Sequence, residues 1–67
     1  MTLRINGNDR TFSESTLSVA ELLVLLELGP QPVLVERNGI ALLKREFETE
    51  TLHEGDRIEI VRMVAGG

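Results

Sequence analysis

The grouping Ala65-Gly66-Gly67 follows directly on a strand-like run, Ile58-Glu59-Ile60-Val61-Arg62-Met63. It is the one place in the sequence where a backbone group, rather than a side chain, could do chemistry. Residues 66 and 67 lack a Cβ, so the end can enter a narrow channel and take backbone angles closed to other residues. Extended, Val64 to Gly67 would carry the Gly67 α-carboxylate roughly 13 Å past the last strand. Such an end is either a frayed terminus or an acyl group presented to another protein's active site.

The side chains offer little competition. His53 is the sole histidine, and no metal-ligand spacing surrounds it. Ser13, Ser15, Thr16 and Ser18 crowd together, but a nucleophilic serine needs a base in hydrogen-bond reach; turn bonding and helix capping explain the cluster better. Glu46, Glu48 and Glu50 alternate and would share one face if extended, with Glu54 nearby. Acid/base work needs two carboxylates in different, perturbed environments, so a solvated face is the expectation. No glycine-rich phosphate loop is present. The reading is of a chain with no catalytic residues, no metal site and no bound cofactor, acted on by an enzyme.

Size and charge agree. Sixty-seven residues make one domain, and a chain so short buries only about 60% of its unfolded surface. Without cysteine it has no disulfide or thiolate site. A net charge of −4 with two Phe and no Tyr or Trp argues against nucleic acid, whose binders need a basic face and stacking rings. An acidic surface suits a basic protein partner, and equally keeps a small domain in solution. No apolar run approaches transmembrane length. Met1-Thr2-Leu3-Arg4 leads straight into a strand pattern without a signal segment, so a cytoplasmic, membrane-free protein is expected.

The elements that must position the tail are legible. Leu3 and Ile5 alternate with polar neighbours as a strand. Asn6-Gly7 marks a tight hairpin turn, Asn8-Asp9 extends the loop, and Arg10-Thr11-Phe12 returns. Ser18-Val19-Ala20-Glu21 fits a capping box. Val19, Leu22, Leu23 and Leu26 form a helical stripe, widened by Leu25 and Leu28. Gly29 would end this helix of about ten residues in a left-handed conformation, with Pro30 behind it. Val33 to Arg37, the turn Asn38-Gly39 and Ile40 to Leu43 read as a second hairpin. Lys44 to Glu50 is irregular around an inward Phe47. After a turn at Glu54-Gly55-Asp56, Arg57 to Met63 is the last strand, with Ile58 and Ile60 inward and Val61 facing either way. The order ββαβββ predicts an α+β fold, a mixed sheet of about five strands with one helix packed on it. The core would join the helical stripe to Leu3, Ile5, Val35, Ile58 and Ile60. Residues 1–63 would form the domain and 64–67 a flexible tail.

These segments together resemble the sulfur carrier protein ThiS family of thiamine biosynthesis. The resemblance rests on Leu3-x-Ile5-Asn6-Gly7, Ser18-Val19-Ala20-Glu21-Leu22-Leu23 and Val33-x-Val35-Glu36-x-Asn38-Gly39. It continues through Leu52-x-Glu54-Gly55-Asp56-x-Ile58-Glu59-Ile60-Val61 and Val64-x-Gly66-Gly67. Leu34 and Met63 are bulkier than the residues common there. The resemblance implies a ubiquitin-like β-grasp fold. It implies that a ThiF-like enzyme uses ATP to adenylate the Gly67 carboxylate, that a persulfide on another protein supplies sulfur, and that thiazole synthase, ThiG, receives it from the thiocarboxylate. Ala65 and Gly66 would thread the access path.

A docking surface is expected beside the tail, with Arg62, Met63 and Val64 joined by the acidic Glu54, Asp56 and Glu59. Three other readings stay open: the small subunit of molybdopterin synthase, a ubiquitin-like modifier, and an inert binding module of TGS type.

Overall fold

The computed structural model describes residues 1–64. Four strands of the main sheet arise from two hairpins of the same design. Strands β1 (Thr2–Ile5) and β2 (Asn8–Thr11) are joined by Asn6-Gly7; β4 (Val33–Arg37) and β5 (Ile40–Leu42) are joined by Asn38-Gly39. Both turns have positive φ at both residues, 50° and 84° in the first, 50° and 85° in the second. Asparagine and glycine are the residues that tolerate this, and the resulting twist matches the flanking strands. Because two residues complete the first turn, Asn8 and Asp9 belong to β2 and pair with Ile5 and Arg4; they do not extend the loop.

The last strand, β7 (Arg57–Arg62), occupies the middle of a five-stranded sheet of order β2-β1-β7-β4-β5. It runs parallel to β1 and antiparallel to β4. Each Asn-Gly turn also reaches across to it. The Asn6 amide accepts from the Ile60 N–H at 2.8 Å and donates to the Ile60 carbonyl at 3.1 Å. The Asn38 side chain accepts from the Arg57 N–H at 2.9 Å. One asparagine holds each end of the strand that leads to the tail.

Helix α1 (Val19–Leu25) packs on one face of this sheet. Its N-terminal donors are fully accounted for. Ser18 Oγ accepts from the Glu21 N–H, and Glu21 Oε1 accepts from the Ser18 N–H, the reciprocal capping box. The Val19 and Ala20 N–H groups donate to the carbonyls of Glu50 and Phe47. That docking is reinforced by a two-residue ladder, β3 (Leu17–Ser18) against β6 (Thr51–Leu52), which the periodicity did not reveal.

The helix stops earlier than its apolar pattern suggests, and Gly29 is not what stops it. Glu27 takes the left-handed conformation, φ 61°. The Leu28 N–H donates to the Leu23 carbonyl and the Glu27 N–H to the Val24 carbonyl, a Schellman motif. A left-handed non-glycine costs about 1–2 kcal/mol. The turn brings Leu28 back onto the core, and that burial offsets the strain. Leu25 is left facing outward and does not widen the core stripe.

The core comprises Leu3, Ile5, Val19, Leu22, Leu23, Val35, Phe47, Ile58 and Ile60 as expected, with Leu17, Val33 and Leu52 added; Leu26 of the expected stripe is only partly buried against it. Phe47 closes one end, set inward by a 3-10 helix (Lys44–Glu46). This segment is a turn, so Glu46, Glu48 and Glu50 share no face. Glu46 accepts from the Leu43 N–H, Glu50 lies 3.5 Å from Arg37, and Glu48 is exposed. Among the described residues no helix is long and apolar enough to cross a membrane.

Candidate functional site: the end of the central strand

Strand β7 delivers the chain to the edge of the domain from the sheet's centre, clamped on both flanks. Beyond it, the Met63 N–H donates to the Pro32 carbonyl at 3.0 Å. Val64 is then 90% exposed. Ala65, Gly66 and Gly67 lie outside the described residues. Three residues can span at most roughly 10 Å, which bounds the distance from Val64 to Gly67.

Alternation along β7 settles where Val61 points. Ile58 and Ile60 are buried, and Val61 is 58% exposed on the opposite face. Directly across from it on β4 is Leu34, 57% exposed. Two large apolar side chains meeting on a solvent face, with Met63 beyond them, are unusual where a polar pair would serve stability as well. One register step back, Glu59 stands opposite Glu36. Like charges directly opposed across a ladder are destabilising. The outer face therefore carries an apolar pair and an acidic pair side by side.

Of the residues expected to form a partner surface, Glu59, Arg62, Met63 and Val64 lie on β7 or just beyond it. Arg62 shares the alternation of Ile58 and Ile60; it lines one cleft with Leu26 and Leu28 on the helix side and another with Pro32, Met63 and Val64 beside the strand end. Glu54 and Asp56 lie beyond the opposite end of β7, roughly 17 Å away along the strand. Glu54 Oε1 accepts from the Thr2 N–H at 2.9 Å. Val61, left open between core and surface by the sequence, joins the surface; Leu34 and Glu36 were not anticipated there, because their signal is cross-strand register, which a single sequence does not display.

The Asp56 carboxylate is occupied internally. Its Oδ2 accepts from Arg37 Nε at 3.0 Å and the His53 N–H at 2.9 Å, and its Oδ1 from Asn38 Nδ2 at 3.1 Å. Burial alone would raise its pKa. The hydrogen bonds from His53 and Asn38 and the Arg37 guanidinium outweigh that, leaving it below its ordinary value. A carboxylate depressed on folding stabilises the protein above its unfolded pKa, and this contribution is lost as pH falls through the folded pKa. Urea unfolding of the wild type and Asp56→Asn should therefore differ most at neutral pH and converge in acid. A constant difference across that range would show that Asp56 acts without its charge.

The described residues hold no group of three or more side chains able to bind a metal. Residues 3–67 match the ThiS family. The chain belongs to that family. The fold agrees. The crystal structure of the thiamine biosynthesis protein ThiS from Geobacter metallireducens superposes with a TM-score of 0.87 at 35% identity, covering all of both chains. Its mixed sheet and single helix are the ubiquitin-like β-grasp arrangement expected above. A thiazole synthase from Paramagnetospirillum magneticum is 39% identical over all 67 residues, and one from Magnetococcus marinus 31%. The chain spans 20% of the length of each of those relatives. An uncharacterized protein, ycf40, of Porphyra purpurea is 31% identical, and the chain covers 93% of it.

Proposed function

We propose that the chain carries sulfur on Gly67 as a thiocarboxylate and donates it to a thiazole synthase for the thiamine thiazole ring. The observation that carries this reading is the family match, which runs from residue 3 through Gly67. The clamped exit of β7 supports it, because a short tether on a fixed base limits the positions the reacting carbon can take.

A carboxylate is a poor acyl donor until one oxygen becomes a good leaving group. In a ThiF-like enzyme, a Gly67 oxygen attacks the α-phosphorus of ATP and pyrophosphate departs. A persulfide sulfur on another protein then attacks the acyl carbon and AMP departs. Cleavage of the S–S bond by a thiol leaves sulfur on Gly67. ATP belongs to the activating enzyme, and this chain contributes no acid, base or cofactor. The face bearing Leu34, Val61 and Met63 docks against the enzymes, and Glu36 and Glu59 favour a basic partner surface there. That the P. magneticum and M. marinus thiazole synthases each include a segment like this chain supports a thiazole synthase as recipient.

A strain lacking the chain should need thiazole or thiamine for growth. Wild-type chain should restore growth without either, and a version ending at Gly66 should not. Growth without thiamine together with loss of molybdoenzyme activity would overturn this assignment in favour of molybdopterin chemistry.

A further inference from the structure

We infer that a cleft between α1 and the 3-10 helix is a second contact for the thiazole synthase, taking a segment of that protein in which an apolar side chain is flanked by carboxylates. This rests on the thiazole reading above. The cleft, about 730 Å³, is lined by Ala20, Leu23, Val24 and Phe47, with Lys44 and Arg45 beside them. Val24, in the last turn of α1, is 67% exposed, where an amphipathic helix ordinarily carries a polar residue on its solvent side.

Charge identifies the occupant. Lys44 and Arg45 are the only adjacent cations in a chain of net charge −4. Neither makes an ion pair among the described residues, whereas Arg4 and Arg37 do. Glu48 is the one carboxylate lining the cleft, so the cations outweigh it. An apolar floor with two unpaired cations at its side complements an apolar residue set among Asp or Glu.

Position ties the cleft to a protein that engages the tail, the role the thiazole reading gives the synthase. Leu23, Gly29, Lys44 and Phe47 also line a second cleft that reaches Met63. The groove thus runs from the helix side to the strand end that leads to the tail. A protein already engaging Met63 and the tail meets this cleft at high effective concentration, so a weak contact there still adds affinity.

The test uses the full chain, labelled with ¹⁵N, and the thiazole synthase of the same organism. Resonances of Ala20, Val24, Lys44 and Phe47 should shift or broaden on titration. The double variant Lys44→Glu/Arg45→Glu should bind roughly tenfold more weakly at low salt, with the difference shrinking at high salt. Val24→Gln should weaken binding several-fold at both salt concentrations, and both variants should keep the wild-type melting temperature. If the synthase perturbs Leu34 and Met63 but binds the double variant as tightly as wild type, the cleft proposal fails while the thiazole reading stands. If wild-type chain neither binds the synthase nor supports thiazole formation, both fail.

Discussion

A chain lacking Gly67 is expected to take up no sulfur while folding as well as the wild type. The reacting atom would be gone, yet the buried core runs only as far as Ile60. The melting temperature should therefore be unchanged as adenylation and thiocarboxylation disappear together. Gly66→Ala tests the path rather than the atom. A Cβ there restricts the backbone and would widen the tail on the proposed path into the activating enzyme. An ångström of misplacement at a reacting atom can cost on the order of a hundredfold, so loading should slow by at least about tenfold. Normal loading of either variant, followed by intact mass, would remove Gly67 from the chemistry.

The second large effect is on stability. Leu22 is fully buried beneath the sheet, and Leu22→Ala should cost about 2–5 kcal/mol. At about 0.05–0.15 kcal/mol per residue, a domain of this size has little more than that to lose. Its melting temperature should fall by about 10 °C or more. Leu26 shares the helical stripe but sits at the C-cap, half-buried, so Leu26→Ala should lower stability by less. Equal melting temperatures for Leu22→Ala and wild type would contradict the packing of α1 on the sheet.

The parts of this fold that depend on local rules could be read from the sequence. Asn6-Gly7 and Asn38-Gly39 declare their turns because few other residues accept two successive positive φ angles. Ser18 and Glu21 declare the start of the helix because the capping box is a local bond pattern. Where tertiary burial overrides local preference, the sequence misleads. The pull of Leu28 into the core ends α1 at Leu25 and makes Glu27 left-handed, although a glycine waits two residues later. The β3–β6 ladder pairs Leu17 with Leu52 and Ser18 with Thr51, far apart in sequence and in two-residue strands, too short for any periodicity.

The candidate site divides in the same way. Gly66 and Gly67 stand out by type alone, and the alternation of Ile58 and Ile60 places the strand that leads to them. The Leu34–Val61 and Glu36–Glu59 pairs exist only through the register of β4 on β7. Conversely, Glu54 and Asp56 are close to Glu59 in sequence, but a strand separates its two ends in space. Asp56 also has its carboxylate turned to Arg37 and Asn38.

Sulfur carried on Gly67 would show in the intact mass of the chain. The chain would be incubated with the ThiF-like enzyme of its own organism, ATP and a sulfur source, then fragmented. The chain should gain the mass of one oxygen-to-sulfur exchange, confined to the fragment that contains Gly67 and dependent on ATP. A chain that forms neither adenylate nor thiocarboxylate with that enzyme would contradict that role for Gly67.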